Sequence, residues 1–287
     1  MSDVIVIGGA NVDIKAKTIA PNVMGTSNPG IVSTTAGGVG RNIAHNLARL
    51  GASVSLISVV GQGAHGDMVL ETTAHAGVDV SKVTRSAVAT GTYVALLDHN
   101  GELINALNDM RAVEAIGPSL IDMHAAAIVE ARYVVADCNL PLASLIHIAA
   151  LAGDKLIIEP VSVPKSAKLV DVLKRQRVFL ASPNLDQLQH LAGTCDPGRA
   201  FAFLHGAGLA NVVLHAGGQG AFVSTGQNIE HVAARASGPI VDVTGAGDAA
   251  VAGLVYGLLQ GLNLVDAALL GQKQAGLVVA SAASTLE

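Results

Sequence analysis

Apolar residues along this chain come in two rhythms that alternate. Val4-Ile5-Val6-Ile7 is an unbroken apolar run of the kind a central parallel strand shows, because both faces of such a strand are covered. Ile43, Leu47 and Leu50 recur at i, i+4 and i+7, which predicts an amphipathic helix that Gly51 ends, with His45 and Asn46 on its polar face. A strand at 54–60 and a helix ending near Gly77 follow. Helical stretches near 119–130, 143–152, 167–176 and 197–205 then alternate with strands at 133–136, 155–159, 178–181 and 212–215. Strand and helix in turn predict a mostly parallel central sheet between two helical layers, a three-layer α/β/α sandwich forming one domain over 1–287.

Two segments break this alternation. Residues 14–36 lack helical periodicity and carry Pro21, Gly25, Pro29 and Gly30. Residues 90–110 hold two strand-like runs, Thr92 to Leu97 and Glu102 to Leu107, flanking Asn100-Gly101, a hairpin signal. The two segments are either a small sheet of their own or edge strands of the main one.

A net charge of −5 without a basic run argues against nucleic acid or an anionic membrane surface as partner. The 51% hydrophobic fraction and mean hydropathy of +0.50 call for a membrane test. The longest uncharged helical candidate, 249–265, is interrupted by Gly253, Gly257, Gln260, Gly261 and Asn263 and falls short of the ~20 apolar residues a span needs. A buried helix is expected there. The chain enters a strand at once, with no basic segment and cleavage site, so no signal peptide is expected. Cys138 and Cys195 have no metal or redox spacing and read as reduced thiols, which predicts a cytoplasmic location.

Candidate chemistry gathers where strands end. Val241-Asp242-Val243-Thr244-Gly245-Ala246-Gly247-Asp248 sets two glycines around an alanine at the start of the 249–265 helix, so the amides of Gly245, Ala246 and Gly247 can converge on an anion. Asp248 is either a carboxylate placed to take a proton from an attacking hydroxyl or a helix-start charge favoured by the dipole. A second cluster, Gly37-Gly38-Val39-Gly40-Arg41-Asn42, opens the first helix, and its Arg41 either adds positive charge or faces solvent. Asn11 and Asp13 follow the first strand, where open α/β sheets bind ligands, and can hydrogen-bond vicinal hydroxyls. Ala136-Asp137-Cys138-Asn139, Glu159-Pro160-Val161-Ser162 and Pro183-Asn184-Leu185-Asp186-Gln187 each end another apolar strand. Neither a dinucleotide fingerprint nor a P-loop occurs.

In order and kind, the two glycine clusters resemble the signatures of the ribokinase-like (PfkB) carbohydrate kinase family, a Gly-Gly-x-Gly-x-Asn sugar-binding turn and an Asp-Thr-x-Gly-Ala-Gly-Asp catalytic loop. Val243 stands where the second has Thr, and Thr244 follows it. The resemblance implies a ribokinase-like fold in which 14–36 and 90–110 form a small β-sheet lid, with ATP and Mg2+ as phosphoryl donor and a sugar or nucleoside as acceptor. Carried over by position, Asp248 is the catalytic base and Gly245, Ala246 and Gly247 form the anion hole. Asn11, Asp13, Gly37, Gly38 and Asn42 hold the acceptor, and Asn184, Gly217, Gly220 and Thr244 hold the nucleotide. Asn184 matches the family's Asn-x-x-Glu element, but Gln187 replaces the Glu, and a neutral amide is a poorer partner for hydrated magnesium. No metal ligand is assigned.

Ser27-Asn28-Pro29-Gly30, Asn108-Asp109-Met110 and the 136–139 segment further resemble the pattern of the family's pseudouridine kinases, which implies phosphorylation of that nucleoside's 5′-hydroxyl with Ser27, Asp109 and Asn139 in the acceptor site. A C-nucleoside base offers an extra ring N–H, and a buried Asn or Asp carbonyl can select for it. Kinases for ribose, adenosine or another sugar, and a non-catalytic sensor of nucleoside and ATP, are the alternatives. The sequence leaves open a K+ requirement and the oligomeric state, a pairing of two copies through the lid being the assembly the resemblance suggests.

Overall fold

The structure, a computed structural model, describes residues 2–226, 228–235, 237–281 and 283–286. β1 (Val4–Ile7) leads into a hairpin of β2 (Asn11–Thr18) and β3 (Gly30–Gly37), then α1 (Val39–Arg49), β4 (Val54–Gly61), α2 (Ala64–His75) and β5 (Val83–Ser86). A second hairpin, β6 (Gly91–Leu97) and β7 (Leu103–Asp109), passes through α3 (Arg111–Glu114), α4 (Pro118–Asp122) and α5 (Ala125–Glu130) to β8 (Tyr133–Asp137). Next come α6 (Leu142–Ala152), β9 (Leu156–Glu159), α7 (Val163–Leu173), β10 (Val178–Ala181), α8 (Leu185–Ala192), α9 (Pro197–Gly206) and β11 (Leu209–His215). The antiparallel strands β12 (Ala221–Ser224) and β13 (Ile229–Val232) precede α10 (Ala246–Leu259) and α11 (Leu264–Val279).

The main sheet has nine strands in the order β13-β12-β11-β10-β9-β8-β1-β4-β5, parallel from β11 to β5. Successive side chains of a strand point to opposite faces. In β1, Ile5 and Ile7 therefore join the core under the helices from α3 to α9, whereas Val4 and Val6 join the core under α1, α2, α10 and α11. All four are essentially inaccessible to water, each burial contributing about 1.5–3 kcal/mol. The apolar 249–265 stretch is accounted for by α10, whose Gly253 lets α11 approach so closely that a Cβ there would lie 2.8 Å from the Gly271 Cα. Among the described residues no helix is long and apolar enough to cross a membrane.

The two segments that break the alternation form their own four-stranded sheet, order β3-β2-β6-β7, in which the central pair β2·β6 is parallel and the outer pairs antiparallel. This lid starts at Asn11 rather than at residue 14, because Asn11 already pairs with Gly37. Its second hairpin turns through Asp98, whose carboxylate accepts the N–H groups of Asn100 and Glu102, a longer connection than the Asn-Gly pair alone predicts.

Three other expectations are corrected. The helix expected over 119–130 breaks at Met123 and His124 into α4 and α5. The one expected over 167–176 runs earlier, with Pro164 in its first turn, where a missing N–H costs no helical bond. Asn46 is not on a polar face but fully buried, its Oδ1 accepting the Leu286 N–H at 2.8 Å.

Candidate active site

Parallel strands that end together deliver their next residues to one edge of the sheet, and here β1, β8 and β9 do so. α1 begins one residue after Gly38, whose φ of +100° and whose closeness to the Gly9 carbonyl, 2.5 Å from where a Cβ would sit, admit only glycine. The junction is tied together by Asp137. Its Oδ2 accepts the N–H groups of Gly9 at 2.8 Å and Gly40 at 2.9 Å, and its Oδ1 accepts the N–H of Asn139 at 2.9 Å. Burial raises its carboxyl above the usual range, and the three N–H bonds oppose that rise. The sequence marked this segment but gave Asp137 no task, since its partners are backbone amides of distant loops.

Asp13, in β2, lies against the Cα of Gly37 and accepts a hydrogen bond from Asn11 Nδ2 at 2.6 Å. Burial raises its pKa, while Asn11, Lys15 and Arg41 oppose the rise. From α1, Asn42 Nδ2 donates to Asp248 Oδ2 at 2.8 Å, joining the two glycine clusters. Asp248 sits in the first turn of α10 behind Gly245, the helix cap, whose φ is +79° and where a Cβ would meet the Ser284 carbonyl at 2.0 Å. First-turn amides such as that of Gly247 have no helical acceptor and remain for a ligand, whereas the Ala246 N–H is directed at the Val243 carbonyl at 3.3 Å. Burial pushes the Asp248 carboxyl up to about 7; Asn42 opposes, Asp137 and Asp13 add to the rise, and Arg41 opposes it. Such a carboxylate is poised as a base near neutral pH.

Arg41 does not face solvent. It is 2% exposed, with its guanidinium turned inward. The 241–248 loop is also tethered to the lid: Lys15 Nζ bonds Asp242 Oδ2 at 2.8 Å, and Asp242 Oδ1 accepts the N–H and hydroxyl of Thr244 at 2.9 and 2.7 Å. Against desolvation, Lys15 and Thr244 hold the Asp242 carboxyl down at about 2. No sequence spacing pointed to Lys15, because its partner lies 227 positions away.

Three of the four proposed nucleotide residues lie along one stretch of the sheet edge. The bridge between Asn184 and His215 joins the ends of β10 and β11, and Gly217 and Gly220 bracket the exposed turn that follows. Asn184 caps α8 in a reciprocal pair: its Oδ1 accepts the Gln187 N–H, and Gln187 Oε1 accepts the Asn184 N–H, both at 2.9 Å. The amide that replaces the expected Glu thus performs the capping task. Nearby, Glu159 ends β9 beside Asp137, its pKa raised well above the ordinary value by burial and by Asp248.

The three positions tied to the nucleoside base fare differently. Ser27 is exposed in the 19–29 connection at the far end of the lid, ~17 Å of strand from Asp13. Asp109 pairs with Thr92, which pairs with Val12, so the pleat puts it on the face opposite Asp13, where Arg111 holds it with bonds of 2.9 and 2.6 Å. Asn108 and Tyr93 share the Asp13 face instead. Asn139 lies beside Gly9, but its Oδ1 accepts from Lys165 Nζ at 2.5 Å. The Asn139 carbonyl has two lone pairs, so the Lys165 ammonium takes one and the other can still accept, while the Asn139 side chain also acts on the Asp137 carboxylate.

The family model for pfkB carbohydrate kinases matches residues 1–286. The chain is 35% identical to pseudouridine kinase of Escherichia coli over 270 residues, 92% of this chain and 86% of that one. It is 34% identical to the uncharacterized sugar kinase YeiI of the same organism, over 92% of this chain and 74% of the other. Among solved structures, a carbohydrate kinase from Agrobacterium tumefaciens (29% identity, TM-score 0.84) covers 99% of this chain and 93% of its own. Arabidopsis thaliana ribokinase complexed with ribose and ATP (22% identity, TM-score 0.87) covers 98% and 94% and shares the fold. The glycine-opened helices that meet through Asn42 and Asp248, under a four-stranded lid, are therefore those of a ribokinase-like protein, and the chain belongs to the PfkB family of carbohydrate kinases, ATP-dependent phosphotransferases.

Proposed function

We propose that this kinase transfers the γ-phosphoryl group of ATP to the 5′-hydroxyl of pseudouridine, giving pseudouridine 5′-phosphate and ADP. The observation that carries the transfer is the Asn42–Asp248 hydrogen bond, which holds one carboxylate oxygen and leaves the other for a hydroxyl. Asp13 and Asn11, with the turn at Gly37 and Gly38, hold the ribose so that its 5′-oxygen faces Asp248. As that oxygen attacks, Asp248 takes its proton, and the amides of Gly245, Ala246 and Gly247 receive the charge of the transferring group, Ala246 after release from Val243. Asn184, Gly217, Gly220 and Thr244 line the nucleotide side. A magnesium ion would arrive on the nucleotide with several of its own waters. When bound, it draws charge off the phosphate oxygens.

For the base, Asn139 and Asn108 offer carbonyl acceptors for ring N–H groups, and Tyr93 supplies an aromatic face. The similarity to the E. coli pseudouridine kinase supports this choice, and the nearly equal similarity to YeiI makes a substrate panel the test. Rates with magnesium-ATP and pseudouridine, uridine, adenosine, ribose and fructose 6-phosphate should favour pseudouridine over uridine by about 100-fold or more in kcat/KM. Parity between the two, or a preference for ribose, would discard the substrate assignment and keep the kinase. Free Cys138 and Cys195 support a reducing, cytoplasmic setting.

The lid also supports pairing of two copies. Ile14, Ala16, Val32, Val94, Leu96 and Leu107 share the face turned away from Asp13, and Val32 and Leu107 are 66% and 68% exposed. Light scattering should give a dimer for the native chain and a monomer for Val32→Asp/Leu107→Asp; a native monomer contradicts the pairing.

A further inference from the structure

We propose that Arg41 is the positioning residue of the catalytic base: through the Asn42 amide and a nearby buried charge, it sets both the orientation and the ionisation of Asp248. The inference rests on Asp248 being that base.

A buried guanidinium is costly unless its charge serves something. Arg41 makes no ion pair among the described residues; its partners are all neutral. Nε donates to Thr73 Oγ1 at 3.1 Å, Nη1 to the Ala36 carbonyl at 3.3 Å and to Asn42 Oδ1 at 3.2 Å, and Nη2 to His45 Nδ1 at 2.9 Å. A guanidinium has donors only, so Asn42 must turn its carbonyl to Arg41 and its NH2 to Asp248. That fixes which Asp248 oxygen is occupied.

The same logic fixes His45. Its Nδ1 accepts from Arg41, so the proton rides on Nε2, which donates to the Leu286 carbonyl at 3.0 Å. Burial, then the neighbouring Arg41, holds this imidazole down at about 4, so it stays neutral as an acceptor; Arg49 adds to that and the Leu286 bond opposes it. The Leu286 N–H returns to Asn46, and Ser284 of the same segment abuts Gly245. One chain of hydrogen bonds thus joins Leu286 to the carboxylate. The charges that face Asp248 are Asp13 from β2, Asp137 from β8 and Glu159 from β9, all acidic, and Arg41 from α1, the one cation opposing them in that set.

The test measures kcat, KM and their pH dependence for Arg41→Met, Arg41→Lys, Asn42→Ala and the double variant Asn42→Ala/Arg41→Lys. Arg41→Met should lower kcat about 10- to 100-fold, leave KM for ATP within about threefold, and move the acid limb of kcat to higher pH, since an opposite charge nearby favours the ionised base. Arg41→Lys keeps the charge but not the fork, so its limb stays in place while kcat falls. Added to Asn42→Ala, Arg41→Lys should change kcat little further, because Arg41 orients the base through Asn42. A limb for Arg41→Met that coincides with the native one overturns the proposal. So do additive losses in the double variant, which decide the matter even if Arg41→Met fails to fold. Near-native turnover in Asp248→Asn would instead mean that the base assignment itself fails.

Discussion

Asp248→Asn is expected to fold and to bind nucleotide while turning over at least about 100-fold more slowly, the loss typical of a missing general base. The fold survives because the new amide still offers an oxygen to Asn42 Nδ2. The variant should also be the more heat-stable protein at neutral and alkaline pH. Asp248 is raised to about 7, mainly by burial, so the folded state holds its proton where the unfolded chain has released it. The stability this lends is complete below the ordinary carboxylate pKa near 3.8 and is lost as pH climbs through about 7. Asparagine carries no such penalty, so its advantage in Tm should widen from pH 4 to pH 7 and then level off. Thermal unfolding of both proteins at pH 5 and pH 8, beside turnover, checks the pair of effects; retained turnover refutes the base, and a Tm gap that does not grow refutes the burial argument.

Asp137→Ala should give the largest loss of stability. Removing the carboxylate leaves the N–H groups of Gly9, Gly40 and Asn139 without their acceptor, at about 1–3 kcal/mol each when unsatisfied. With partial rescue by water, about 3–5 kcal/mol in total is expected, or roughly 10 °C in Tm. Because the proposed acceptor site is built on these loops, KM for the acceptor should rise as well. Asp137→Asn, which keeps one oxygen for Gly9 and Gly40, should lose clearly less. Denaturant unfolding distinguishes the two; equal and small losses would mean that the three loops hold together without the carboxylate.

These two aspartates differ in how they were legible. Asp248 stands in a motif whose order and spacing carry its chemistry, and the runs from Val4 to Ile7 and from Ile43 to Leu50 announce β1 and α1 by period alone. What failed to show is long-range and polar. Asn46 read as a surface residue, and Arg41 as either a site charge or a surface residue, because a helical pattern of polar positions normally faces water; here α1 is covered on that side by α2 and by residues 284–286. The face that Asp109 takes was not legible, because a strand's existence does not reveal its pleat, and a one-residue step exchanges faces. The bond from Lys165 to Asn139 was likewise illegible, since its partners lie 26 positions apart. The cap that Gln187 completes was not legible either, because its side chain bonds the backbone of Asn184.

The most direct measurement is the product itself. Native protein incubated with magnesium-ATP and pseudouridine, followed by mass and phosphorus NMR analysis, should yield ADP and one new phosphomonoester carried on the 5′-oxygen. Pseudouridine recovered unchanged while another sugar or nucleoside in the same mixture is phosphorylated would contradict the proposed substrate. Absence of any phosphorylated acceptor would contradict the catalytic reading of Asp248.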